Sequence, residues 1–354
     1  MINIPTFLTL SLSNAGAGQS LATAVQTANE TAASTQSIGN WWMWLIFFAI
    51  ILVVLAIDLI FVGGGKQHRV SFKEAASWSL VWVGLSLGFA AGLWFYLDAS
   101  YTREFATTKV MEYLTGYLIE KSLAVDNVFV WLIIFNFFAI PLELQKRVLT
   151  YGVLGAIILR TIMIFAGVWL LAHFHWLLYV FGAFLLFTGI KMWWMADKEM
   201  DLNNNALLNW LKRHFAISDH LEGERFFVVR NGVKLMTPLF LVLIMVEISD
   251  VIFAVDSIPA IFAITSDPFI VLTSNIFAIL GLRAMYFLLA DVADRFTYIK
   301  YGLALVMVFI GIKMLLIDIY KIPTEISLAA IAVLIGGSIL ISWIKTKPSD
   351  PPTS

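Results

Sequence analysis

From Trp41 to Ile344 the chain alternates between apolar runs of about twenty residues and short polar breaks. A helix needs about 20 mainly apolar residues to cross the hydrocarbon core of a bilayer. The pattern therefore predicts nine spans, at 41–62, 76–97, 115–138, 148–172, 176–196, 235–264, 269–290, 298–318 and 325–344. The fold class is an all-α polytopic membrane protein. Pro238 lies near the start of the sixth span and Pro259 near its end. Proline removes a backbone donor and crowds the preceding turn, so a break or kink is expected in that span.

The polar breaks set the domain plan and the orientation. Residues 1–40 hold no Lys or Arg, and the apolar stretch from Ile4 to Leu12 has no basic residue before it, as a secretory signal peptide would. An extracytoplasmic N-terminal tail is expected. Lys and Arg are retained on the cytoplasmic side. With the N-terminus outside, Lys66, Arg69, Lys73, Lys146, Arg147, Lys198, Lys212, Arg213, Arg225, Arg230, Lys234, Arg295, Lys300, Lys345 and Lys347 fall inside. Only Arg103, Lys109 and Lys321 fall outside. Two peripheral helices occupy 41–97, a cytoplasmic loop 197–234, and a cytoplasmic tail 345–354. Within the loop, the run Phe226 to Arg230, then Asn231-Gly232, then Val233 to Leu235 reads as a hairpin, and the loop as a linker between two halves.

Those halves resemble each other. Glu120-Lys-Ser-Leu-Ala-Val-Asp126-Asn127 in the third span is matched by Asp250-Val-Ile-Phe-Ala-Val-Asp256-Ser257 in the sixth, an offset of 130. Leu159-Arg160-Thr161 is echoed by Leu282-Arg283-Ala284 at 123, and Gly189-Ile190-Lys191-Met192 by Gly311-Ile312-Lys313-Met314 at 122. Three landmarks in one order make 115–196 and 235–318 two copies of a three-helix unit. The predicted topology sets the copies upside down relative to each other. Inverted repeats are common in secondary transporters, whose substrate sites lie between them.

Composition narrows the chemistry. Of 354 residues, 60% are hydrophobic and 13% charged, with a mean hydropathy of +0.86, which places the chain in the membrane class with the lipid bilayer as its surroundings. A net charge of −1 and the absence of basic blocks give no footprint for nucleic acid. There is no cysteine, so disulfides and thiolate metal sites are excluded, and a bound metal must use oxygen or imidazole.

Five carboxylates fall in or near mid-span, Glu120, Asp126, Glu247, Asp250 and Asp256, all in the two matched helices. An Asp at the centre of a membrane helix costs about 2.5–3.5 kcal/mol on insertion scales. Carboxylates that gather also repel one another unless a cation or shared protons neutralise them. The set asks for a cation. Glu120 and Asn127, seven apart, share a helical face, and Glu247 and Asp250, three apart, another, whereas six-residue spacings point Asp126 and Asp256 aside unless the helices unwind locally. With Asn127 and Ser257 the candidate donors are all oxygen, which suits manganese first and calcium as the alternative. Arg160 and Arg283 are expected to pair with these acids, either holding helices together or neutralising the empty cavity. Lys191 and Lys313 are expected to snorkel, Lys121 to partner a neighbouring acid, Asp58 to cap an interface, and the five histidines to be surface residues.

The stretches from Gly116 to Val130 and from Glu247 to Phe262 resemble the two signature motifs of the TerC family. The resemblance runs from about Leu55 to Lys321, includes Tyr151 to Ala156 and Thr273 to Ala284, and is closest to the Alx-type bacterial members. It implies an inner-membrane protein tied to manganese export and, by historical name, to tellurium resistance, with Glu120, Asp126, Glu247, Asp250 and Asp256 in metal handling. The 40-residue N-terminal extension departs from that pattern. A tellurium oxyanion would be repelled by a carboxylate cavity. A transporter of divalent manganese is thus expected, with proton coupling as one option. A membrane partner or scaffold in metalation, its protein partners unknown, is the alternative. An enzyme is not expected: the Gly-x-Gly-Asp arrangement of an intramembrane aspartyl protease is lacking.

Overall fold

The computed structural model describes residues 37–57, 72–174, 176–195, 206–218, 220–230, 232–290 and 298–345. Most of the N-terminal tail, Asp58, His68, His175, the C-terminal tail and the basic positions Lys66, Arg69, Lys198, Arg295 and Lys347 lie outside them. The described residues form α1 (Trp41–Ile57), α2 (Phe72–Ser100), α3 (Arg103–Phe137), α4 (Leu142–His173), α5 (Leu177–Met195), α6 (Ala206–His214), β1 (Phe227–Arg230), β2 (Val233–Met236), α7 (Pro238–Phe262), α8 (Pro268–Leu280), α9 (Leu282–Ala290), α10 (Ile299–Leu315) and α11 (Thr324–Lys345).

Among the described residues, six helical stretches are long and apolar enough to cross a membrane: 73–100, 142–173, 177–195, 238–262, 268–290 and 324–345. Their outer faces carry large apolar side chains in the open, among them Leu80, Phe95, Ile158, Phe187, Val333 and Leu340. A continuous apolar exterior is what lipid contact requires. The chain is an integral membrane protein.

Local sequence explains the helix ends. Thr102 caps α3, its hydroxyl accepting from the Phe105 amide at 3.3 Å, so α3 begins 12 residues before the predicted 115 and runs for 35. Pro238 and Pro268 open α7 and α8, where a missing amide has no cost, and Asp267 caps α8 through the Phe269 amide at 2.9 Å. The expected break in the sixth span is absent: α7 is continuous from Pro238 to Phe262, because Pro259 sits in its last turn and disturbs nothing beyond it. The break lies in the seventh span, at Gly281 between α8 and α9. A side chain there would run into the Lys121 ammonium at 2.5 Å and the Trp82 Cβ at 3.3 Å.

The bundle is built around α8, which is buried from Phe269 to Leu280. Helices α2, α3 and α4 pack on it, with α7 against α3 and α4, and α2 and α11 against α3. Helices α5 and α10 pack closely because glycines remove the side chains between them. A Cβ on Gly189 would lie 2.9 Å from the Ala304 carbonyl, and one on Gly311 2.8 Å from that of Gly182. The β1–β2 pair is antiparallel, with Phe227 opposite Met236 and Arg230 opposite Val233, and Gly232 takes φ +77° in its turn.

Candidate cation site

Arg160, 1% exposed on α4, reaches the crossing of α3 and α7. Its Nη1 donates to Glu120 Oε1, to Asn275 Oδ1 at 2.9 Å and to Ser257 Oγ at 3.2 Å. Its Nη2 and Nε meet the two oxygens of Asp250 at 3.1 and 3.3 Å, the two-pronged geometry in which a guanidinium fits a carboxylate best. Asn127 Nδ2 donates to Asp250 Oδ1 at 3.2 Å. Three helices thus gather Glu120, Asn127, Asp250, Ser257 and Asn275 around an arginine from a fourth, and all of these residues are buried.

The centre carries more negative charge and more acceptor capacity than Arg160 answers. Glu120 and Asp250 bring two formal negative charges against one positive. Glu120 Oε2 and Asn127 Oδ1 are buried without a protein hydrogen-bond partner. Glu247, one turn before Asp250 and close enough to feel its charge, also has a buried, unpartnered Oε2. Its carboxylate fits because Gly155 of α4 lies against it; a Cβ at 155 would collide with it. Buried acceptors without donors are costly. Three oxygens of this kind, around a centre with surplus negative charge, make a locus that a hard cation would stabilise. Among the described residues no group of three or more His, Asp or Glu side chains is gathered closely enough to hold a metal in this conformation. Here the guanidinium occupies the place between the acids.

The motif residues divide into two sets. Asp126 and Asp256 do not join the Arg160 centre. Asp126 faces Lys300, and Asp256 faces Thr188 and Lys191 on α5. No unwinding brings them inward, since α3 and α7 are unbroken. Arg283 is also apart: it is buried and donates to Thr150 Oγ1 at 3.0 Å, with Thr150 ten residues, about 15 Å of helix, before Arg160. Lys313 does not snorkel but is buried, donating to Ser327 Oγ at 2.8 Å. Lys121 reaches no acid among the described residues; it donates to the Ala278 carbonyl at 3.3 Å, beside the break at Gly281. His173 and His214 bond to carbonyls four residues back on their own helices.

Asn275 is the member that the sequence reading missed. Its signal was present: Thr273-Ser274-Asn275 is a polar triplet in the middle of an otherwise apolar span.

A buried, charged centre inside a bundle of lipid-facing helices defines an integral membrane protein with an intramembrane polar site. The family model described as "Integral membrane protein TerC family" matches residues 105–350, and the chain belongs to that family. It is 57% identical over 309 residues to the protein named "Putative membrane-bound redox modulator Alx" of Salmonella typhi, covering 87% of this chain and 96% of that one. Its counterpart in Escherichia coli strain K12 is 56% identical with the same coverage. An "Uncharacterized membrane protein STKORF319" of Myxococcus xanthus is 50% identical over 318 residues, 90% of this chain and 96% of that one. No solved structure matches significantly.

Proposed function

We propose that the protein exports divalent manganese across a bacterial inner membrane, with the N-terminus outside, through the centre built on Glu120, Asp250 and Asn127. The observation that carries this reading is Arg160 lying between Glu120 of α3 and Asp250 of α7. The guanidinium serves as a resident cation for the empty carrier. An incoming Mn2+ takes the acids, with Glu247 and the unpartnered oxygens completing its shell, and Arg160 withdraws. Once Arg160 has withdrawn, the two formal negative charges of Glu120 and Asp250 match a divalent ion. Calcium takes the same donor class and is the competing cargo.

The reading extends to nine spans. Helices α1 and α10, of 17 residues each, and α3, of 35, add three to the six long apolar stretches. It also includes an inverted repeat, and paired contacts support this. An offset of 130 carries Glu120 to Asp250 and Asn127 to Ser257. Glu120 and Ser257 meet on Arg160, and Asn127 bonds Asp250, so the offset exchanges one pair for the other. The offset of 122 likewise exchanges Gly189 against Ala304 for Gly311 against Gly182. Contacts that interchange in this way are the signature of a twofold relation, and a site on its axis can be opened from either side.

The enterobacterial relatives are named as redox modulators. This chain has no cysteine, so a redox effect would run through the metal content of the cell rather than through a thiol of its own.

The test is manganese flux in proteoliposomes with purified protein, calcium as competitor, beside Glu120→Gln and Asp250→Asn. Flux in the wild type and its loss in both variants is expected. A wild type that moves no manganese under any imposed ion gradient sinks the reading, and flux preferring calcium changes the cargo.

A further inference from the structure

A second polar cluster lies on the same helix as Glu120. Lys109 Nζ donates to Glu112 Oε2 at 3.0 Å, and Thr265 Oγ1 donates to the same oxygen at 2.7 Å. Lys313 of α10 faces Glu112. All four residues are buried. Behind Thr265, Asp267 is fully engaged: its amide donates to Thr265 Oγ1, while its carboxylate accepts from Ser37 Oγ and the amides of Ile38 and Phe269.

Position on the helix ties this cluster to the centre. Residues 109, 112, 116, 120 and 127 follow at intervals of three, four, four and seven, so they share one face of α3. Glu112 stands about 12 Å along the axis from Glu120. Gly116 lies between them on that face, and a Cβ there would lie 2.9 Å from Ser274 Oγ and 3.6 Å from Ile261. The stripe is therefore acid, glycine, acid, with the glycine at its narrowest point.

A structural role explains this cluster poorly. A buried ion pair rarely stabilises more than packed apolar residues would. Lys109 and Glu112 sit on one helix, so their ion pair adds no tie between helices; the tie from α3 to the turn after α7 is made by the Thr265 hydroxyl. What the pair does have is a place in line with the cation centre, at the end of α3 assigned to the outside.

We propose that Glu112, Lys109 and Thr265 form the extracytoplasmic gate of the cation path, Glu112 being a second carboxylate station that a departing divalent cation reaches by displacing the Lys109 ammonium. This rests on the transport reading above. Closed, the gate presents Lys109 and Lys313 to a cation arriving from the Arg160 centre, and their charge bars it. Opening requires Lys109 to swing away from Glu112, while Thr265 stays tied to α7 by its amide, which donates to the Ile261 carbonyl at 3.1 Å.

The absence of cysteine makes a direct test available. In Ile261→Cys, a thiol beside Gly116 just below the gate reports its opening to a membrane-impermeant thiol reagent added outside. External Mn2+ is expected to speed labelling by about tenfold, and Lys109→Gln to speed it without manganese. Glu112→Gln is expected to lower flux by about tenfold while manganese binding to the purified protein stays within about threefold. Labelling indifferent to both manganese and Lys109→Gln overturns the gate even if Glu112→Gln fails to fold. Unchanged flux in Glu112→Gln does the same and leaves the central site standing. Binding lost in Glu112→Gln makes Glu112 part of the central site and ends its role as a separate station. A wild type that neither binds nor carries manganese overturns the central reading and the gate together.

Discussion

The two faces of the motif helices differ in kind. On one, Glu120, Asn127, Asp250 and Ser257 are buried and gathered on Arg160. On the other, Asp126 and Asp256 are half-buried and face lysines on or beside the glycine-packed α5–α10 pair. One residue of spacing decides it. Seven residues bring a helix back to the same side, and six leave it about 120° short. A motif that reads as one set of acids in sequence is therefore two sets in space, one contacting the cation centre and one contacting the walls around it.

That division can be broken by experiment. The largest effect is expected from Glu120→Gln or Asp250→Asn, each of which removes one of the two carboxylates that hold Arg160 and would hold the cation. Removing one partner of a buried pair costs about 3–5 kcal/mol. Manganese flux should fall by at least about a hundredfold, with binding lost in isothermal titration. Arg160→Gln should separate binding from turnover: without the resident cation the acids hold manganese more tightly, by about tenfold, while flux drops by a similar factor. Equal losses of both would reduce Arg160 to a structural clamp. Asp126→Asn and Asp256→Asn should keep binding within about threefold and slow flux by only a few-fold, since each loses one exposed-side partner worth about 1 kcal/mol. If they abolish binding, the two faces act as one site. The smallest effect is expected from Gly311→Ala, whose Cβ meets the Leu186 amide nitrogen at 2.7 Å. Overpacking of this kind costs about 1–3 kcal/mol, and should appear in the thermal unfolding midpoint with flux nearly unchanged at low temperature.

How much of this was legible in the sequence follows from how local each feature is. Helix positions were legible because apolar length is a local property. The shared face of Glu120 and Asn127 was legible because it depends on helical period alone. Asp126 and Asp256 could be expected to point aside on the same ground, and a continuous α3 and α7 leave them there. The break was misplaced because proline is read without its position: Pro259 in a last turn is tolerated, whereas Gly281 lets a lysine from α3 take over a carbonyl in α8. Arg160 and Arg283 look equivalent in the repeat, yet one reaches acids 40 and 90 residues away and the other donates to Thr150. Lys109 counts in the sequence as an outside charge because nothing local shows that α3 starts at Arg103 and buries it.

Arg160 also sets an order of events during synthesis. Glu120 precedes it by 40 residues and Asp250 follows it by 90. Chains grow at about 5–20 residues per second, so Asp250 leaves the ribosome about 5–18 s after the arginine. In that interval the nascent chain already contains both Glu120 and Arg160, which can form a neutral pair. Asp250 then arrives later, and its ion pair with Arg160 has to be made across to helices already in the membrane. Insertion of the later helices is thereby coupled to docking against the earlier ones.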